Sequence, residues 1–270
     1  PVPVDGGDMS LSVTQDTLRL RCLNLAKRIA DYLATRQLRT GQFEQPDFYA
    51  KAFAINLWTR IDPDRFGQNI DRALGALASV ARDKTYHREF IEFALHDTPG
   101  VSRETVTEIL QGTKQQRPNV ANWQMLGLIN RQIRNAGSLA RFFNNTHFSF
   151  ILYRYWRKPV FLDRPDCFSA QYHAFCVALL SDSTNPKHQR IADQAVSTVA
   201  ELTGTHGYAN LLGRGAGQSF GAACAHYVLM KTGYFEEANA VLFRMEDAYH
   251  RTGQLPLNLL APVALPDHPG

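Results

Sequence analysis

The sequence predicts an all-α protein built from helical hairpins, and three observations carry that prediction. Apolar runs of helical period recur along most of the chain. Gly, Pro or Asn separates most neighbouring runs, so connections are short and consecutive helices pack antiparallel. The interval 148–162 breaks the pattern: it is aromatic and β-branched, and fits either a short β-hairpin around Arg157-Lys158 or one more helix.

Residues 1–14, rich in Gly, Pro and Asp, read as a disordered lead-in to a single domain over 15–270. Thr14 or Asp16 can cap a first helix running to about Gln37, with Leu18, Leu25, Ile29 and Leu33 on one face. Thr40-Gly41 ends it, and a loop holding Gln42, Phe43 and Pro46 leads to a second helix from Phe48 to about Arg60. Asp62-Pro63 opens the third, with Pro at the first helical position, where its missing N–H costs nothing. The pattern continues with helices at 63–81, 85–96, 102–112, 119–134 and 137–144, then at 169–182, 187–203, 217–232 and 234–251.

Composition narrows the function classes. The 270 residues are 44% hydrophobic, enough for a sizeable core. The formal charge of +4 is mild and its Lys and Arg are scattered, without the basic stripe of a nucleic-acid protein. No nucleic acid is expected as partner, and the slight positive bias suits an acidic one. No apolar run approaches the roughly 18–20 residues of a membrane span. Pro1-Val2-Pro3-Val4, without an initiator Met, reads as a processed chain, which favours a periplasmic or secreted location if an export signal was removed. Cys22, Cys167, Cys176 and Cys224 form no C-x-x-C pair, and the last two lie in apolar runs as buried thiols. H-E-x-x-H and G-x-S-x-G are absent, and no close cluster has metal-ligand spacing, so neither metal nor cofactor is expected.

Three polar groups stand beside helical runs. Asn144-Asn145-Thr146-His147 follows an apolar helix, where the asparagines are either a C-cap or neutral donors working with His147. In Asp166-Cys167-Phe168-Ser169-Ala170-Gln171-Tyr172-His173, Asp166 or Ser169 starts a helix. The positive end of its dipole disfavours a protonated imidazole, which would make His173 a neutral base; the plainer reading is a satisfied, half-buried histidine. Gly213-Arg214-Gly215-Ala216-Gly217-Gln218 lacks the spacing of a dinucleotide fingerprint or a P-loop. Its glycines permit close backbone approach, leaving Arg214 to grip a carboxylate bidentately or to pair within the fold.

A hairpin chain of this length is a solenoid, an irregular bundle or a closed ring of hairpins. No repeat of the roughly 34–47 residues of a helical solenoid is visible. The first hairpin, from Tyr32-Leu33 through Thr40-Gly41-Gln42-Phe43 to Phe48-Tyr49, resembles the repeat of α/α-toroid proteins, in which a Gly and an aromatic follow an outer helix. With the N-N-x-H, Q-Y-H and G-R-G segments, the sequence resembles the toroid domain of heparinase-type and alginate-lyase-type polysaccharide lyases and exopolysaccharide-locus relatives.

The resemblance implies an incomplete or complete α/α toroid that cleaves a uronate-containing polysaccharide by β-elimination. It implies Asn145 and Arg214 as neutralisers of the uronate carboxylate, His173 or His147 as base and Tyr172 as acid. Asn144, Gln171 and Gln218 would add hydrogen bonds to sugar, with Tyr208, Trp123 and Trp156 as stacking faces. Those lyases often carry a β-sandwich after the toroid, so a missing partner domain or a homo-oligomer is expected. Tyr172 and His173, adjacent on one helix, point about 100° apart, so at most one reaches the centre of a cleft. Two alternatives remain: a glycoside hydrolase using two of Asp163, Asp166, Glu201, Glu236, Glu237, Glu246 and Asp247, and a non-catalytic glycan-binding or scaffold protein of an exopolysaccharide system.

Overall fold

Thr14 opens the first helix by accepting the N–H of Thr17 on its Oγ1 at 3.3 Å, and α1 runs Gln15–Arg36. The computed structural model describes residues 14–44, 49–80, 88–113, 119–134 and 137–260. The expected lead-in at 1–13 and the helix starts expected at 48 and 85 lie outside the described residues. Ten further helices follow: α2 Ala50–Ile61, α3 Gly67–Val80, α4 Arg88–His96, α5 Arg103–Ile109, α6 Ala121–Arg134, α7 Ser138–Tyr155, α8 Ala170–Ser181, α9 Pro186–Thr203, α10 Ser219–Thr232 and α11 Phe235–Thr252. Local chemistry sets several of the ends. Ser169 and Asn185 cap α8 and α9 with their side chains, and Pro186 follows Asn185 at the first helical position. Gly233 and Gly253 close α10 and α11 in the left-handed conformation.

The helices form five hairpins, α2/α3, α4/α5, α6/α7, α8/α9 and α10/α11, and the first member of each also packs on the first member of the next. The result is an arc of five inner helices backed by outer ones. α1 packs on both α2 and α11 and so ties the two ends of the arc together, in the manner of an α/α toroid. Burial agrees with the layering. Nine of the twelve residues of α8 are buried, as a helix enclosed on all sides requires. α11 instead buries one stripe, Ala238, Val241, Leu242, Met245 and Ala248, and turns its charges outward.

Gly41, in the first turn, shows why a glycine stands there: its φ is +83°, and a Cβ would sit 2.0 Å from the carbonyl oxygen of Arg72 in α3. The Gln37 side chain reaches the same helix, donating to Asn69 O at 2.9 Å.

The interval 148–162 divides between the two expectations. Its first half is helix: α7 continues to Tyr155, and Asn144, Phe148, Ile151 and Tyr155 are buried at helical spacing. Packing rather than strand propensity decides such a run; Tyr155, for example, also anchors by donating its hydroxyl to Asn119 Oδ1 at 2.7 Å. The sheet begins only at β1 Trp156–Arg157, which pairs antiparallel with β2 Val160–Arg164, itself paired with β3 Cys167–Phe168. Asn144 and Asn145 are therefore mid-helix residues and cap nothing.

Candidate functional site

β2 alternates, turning Phe161 and Asp163 inward onto α8. His173, fully buried in α8, fastens the strand there. Its Nδ1 accepts the Phe161 N–H at 3.0 Å, and its Nε2–H donates to Ala195 O in α9 at 3.2 Å. Desolvation lowers its pKa to about 4, only partly offset by the bond to Ala195. The imidazole is neutral, as the sequence reading requires, but both nitrogens are occupied in the core. His173 is a clamp between three elements and cannot take a proton from a ligand.

Two residues along the strand, Asp163 receives Arg214. The guanidinium donates from Nε to Oδ2 at 3.0 Å and from Nη2 to Oδ1 at 2.9 Å, a bidentate pair in which Asp163 is 3% exposed and Arg214 48%. Arg214 Nη1 donates to the Tyr172 hydroxyl at 3.0 Å, and its Cζ lies 4.1 Å from the Tyr172 ring centroid. The bond to Asp163 holds the guanidinium pKa further above its already high value. Of the five guanidinium N–H bonds three are thus committed, and one each on Nη1 and Nη2 remains for a ligand.

The loop carrying Arg214 is held from several directions. Gly213, Gly215 and Gly217 all have positive φ. A Cβ at Gly213 would lie 2.4 Å from Phe168 O, and one at Gly217 would lie 2.6 Å from Asn258 Oδ1. Ser169 Oγ, already the cap of α8, donates to Arg214 O at 2.6 Å. Gln171 Nε2 donates to Gln218 Oε1 at 2.7 Å, Asn210 Nδ2 to Gln218 O at 2.8 Å, and Asn258 Nδ2 to Ala216 O at 3.1 Å. Gln171 Oε1 is buried and finds no hydrogen-bond partner among the described residues.

Around this loop the inner helices bring their N-terminal ends together, and each contributes a ring. Tyr49, at the start of α2, stacks on Phe90 of α4 at 4.8 Å between centroids. Phe90 meets Trp123 of α6 edge-on at 5.2 Å and stacks on Phe175 of α8 at 6.0 Å. Phe175 meets Phe220 of α10 edge-on at 4.9 Å. The rings form one continuous cluster, with Tyr49 and Phe220 exposed at its edge. Tyr172 belongs to the same mouth, close enough to Tyr49 to raise the latter's phenol pKa, second to desolvation.

The remaining predicted residues lie elsewhere. Asn144 and Asn145 line a groove of about 450 Å³ with Gln132, Arg141, Thr184, Asn185 and Pro186. This groove lies at the C-terminal ends of α6 and α8. Tyr172 is in the first turn of α8, and the nine residues from it to Ser181 at 1.5 Å each put the groove about 14 Å along the helix from it. His147 faces α6: its Nδ1 accepts from Arg131 and its Nε2–H donates to Gln124 Oε1 at 2.9 Å. Tyr208 lies beneath Arg244, whose Cζ is 4.5 Å from the ring centroid, beside a second groove of about 450 Å³ lined by Arg21, His206, Glu236, Glu237 and Arg244. Asn145, His173 and Arg214 therefore share no concave surface. Tyr172, Gln171, Arg214, Gln218 and Trp123 do gather at one end of the inner helices.

The chain matches no family model, no curated protein and no solved structure. Among the described residues no group of three His, Cys, Asp or Glu side chains could hold a metal ion, and no helix is long and apolar enough to cross a membrane.

Sequence reasoning missed Asp163 as the partner of Arg214, and it missed Ser169, Asn210 and Asn258 as supports of the loop. It also missed Phe90, Phe175 and Phe220, and noted Tyr49 only as part of the first hairpin. The available signal was an aromatic in the first two turns of every inner helix, which only the second helix had drawn out.

Proposed function

We propose that this chain binds an acidic, uronate-containing polysaccharide across the N-terminal mouth of its inner helices and cleaves it there by β-elimination. The observation that carries the reading is the joining of Tyr172 and Arg214 at 3.0 Å beside a cluster of aromatic rings from all five inner helices. Exposed ring faces suit the apolar faces of sugars. The free N–H bonds of Arg214 suit a carboxylate. Because Asp163 already balances the guanidinium, Arg214 acts as a fixed donor pair rather than as a bare cation.

With His173 and His147 both engaged, Tyr172 is the group left to move a proton. In the elimination the C5–H bond breaks, its electrons form the C4–C5 double bond, and the C4–O bond breaks. Tyr172 reacts through its phenolic oxygen, to which Arg214 Nη1 donates; once deprotonated, that oxygen takes the C5 proton and returns it to the leaving oxygen. Asn145, about a helix length away at the other end of α8, has no part in this step.

The engagement of both histidines also favours a second reading, a non-catalytic glycan-binding protein using the same mouth. A hydrolase has less support, since Asp163 and Glu246 are each held by an arginine rather than facing one another across a cleft. Incubation with a panel of polyuronates separates the three. Rising ultraviolet absorbance from unsaturated uronate supports the lyase, and binding without it supports the second reading. New reducing ends without that absorbance would overturn both in favour of hydrolysis.

A further inference from the structure

Outer helices of a ring bury one stripe and turn polar side chains to solvent, as α11 does. α7 does not. Its outward face carries Leu139, Phe142, Phe143, Phe150 and Tyr153, each between 48% and 84% exposed. At 100° per residue these five fall within an arc of roughly 100°, opposite the buried line of Asn144, Phe148, Ile151 and Tyr155. They extend over about 21 Å of helix, fourteen residues at 1.5 Å. Thr146 and Ser149 interrupt the face, but both hydroxyls are turned back on the helix, donating to Phe142 O at 3.1 Å and Asn145 O at 3.0 Å. The face thus presents a strip with few polar groups to water, larger in its apolar side chains than a solvated helix needs.

Its charge is one-sided. From Ser138 to Leu162 the chain holds Arg141, Arg154, Arg157 and Lys158 and no Asp or Glu. Arg157 and Lys158 sit exposed at the hairpin turn directly after α7, while Arg141 lies on the other side of the helix, in the groove with Asn144 and Asn145. A second copy of this face is disfavoured as the occupant, because two such faces bring cations against cations with no acid to answer them. Aromatic and aliphatic side chains with an exposed arginine and lysine at their C-terminal end, on a helix lying flat on the body, match an anionic bilayer surface. There the rings enter the boundary between headgroup and acyl chain while the cations meet lipid phosphates.

We propose that the outer face of α7 docks the protein onto an anionic lipid surface, lying in the interface without crossing it. This proposal does not depend on the glycan reading, since α7 contributes nothing to the mouth.

The test is co-sedimentation of the intact chain with vesicles of phosphatidylcholine alone and of phosphatidylcholine mixed with phosphatidylglycerol. The wild type is expected to bind the mixed vesicles, to bind the neutral ones more weakly, and to release as salt rises. A Phe142→Asp, Phe143→Asp variant alters only exposed side chains and is expected to lose affinity by about tenfold or more. Arg157→Glu with Lys158→Glu is expected to remove the preference for phosphatidylglycerol. Circular dichroism establishes that both variants keep the helical fold. Failure to bind mixed vesicles, or equal binding by the Phe142, Phe143 variant, overturns the proposal. So does a dimer in sedimentation that the same variant dissolves, or an acidic protein captured by this face with vesicles ignored.

Discussion

Replacing Gly213 with alanine places a Cβ 2.4 Å from Phe168 O and 2.8 Å from Ser169 Cα, both main-chain atoms that cannot rotate away. The residue also sits at φ +81°, where a side chain costs about 1–2 kcal/mol. Gly100 supplies the control. Its φ of +77° imposes the same conformational strain, but nothing lies within 4 Å of its Cβ. Gly100→Ala is therefore expected to cost about 1–2 kcal/mol, and Gly213→Ala that amount plus about 1–3 kcal/mol for overpacking against rigid backbone. In urea, with a slope near 3 kcal/mol/M, an added ~2 kcal/mol lowers the midpoint by about 0.7 M relative to Gly100→Ala. The displaced loop would also carry Arg214 off Asp163, so glycan binding should fall in this variant and not in the control. Equal midpoints for the two variants would refute the argument that contact, rather than backbone conformation, fixes the glycine.

Tyr172→Phe should reduce elimination by about 10²-fold or more while leaving glycan affinity within a few-fold, since only the proton-carrying hydroxyl is lost; initial rates and calorimetry measure the two. Arg214→Ala leaves the Asp163 carboxylate buried without its cation and is expected to cost about 3 kcal/mol in urea unfolding, with affinity for polyuronate reduced as well. His173 and His188 have pKa values lowered to about 4 by burial, below the unfolded value near 6.5, so the unfolded chain binds more protons. Their contribution to stability is complete above pH ~6.5 and is lost as the pH falls towards 4. NMR titration should accordingly find both imidazoles neutral at pH 6. A thiol reagent should modify exposed Cys167 first, half-buried Cys224 more slowly because burial raises its thiol pKa to about 12, and buried Cys176 only on unfolding.

Much of the fold was readable because its signals are local. Asn185-Pro186 starts a helix, Gly233 and Gly253 stop two others, and the stripe of α11 repeats at helical spacing whatever surrounds it. α7 misled for a physical reason. Phe148, Ile151 and Tyr155 carry a helical period, but Phe150 and Tyr153 are also apolar on the opposite side, so the contrast that marks an amphipathic helix was erased. The site was half visible. The alternating glycines marked a loop of forced geometry, and Arg214 within it was the right residue to notice. Its partner Asp163 lies 51 residues away on a short strand, and no spacing rule connects them. The expectation for His173 foundered on burial: helix position located the imidazole in the first turn but not the strand laid across it.

The tie between the glycine loop and the segment after α11 has a consequence for the order in which the protein matures. Asn258 bonds Ala216 O, Leu259 N–H donates to Gly217 O at 2.8 Å, and Ser219 N–H donates to Leu257 O at 2.9 Å. On the ribosome those partners are made after α11. A chain cut after Gly253 would keep α1 to α11 while the loop bearing Arg214 lacks its lower anchor. The helices that carry the loop are thus made before the residues that anchor it.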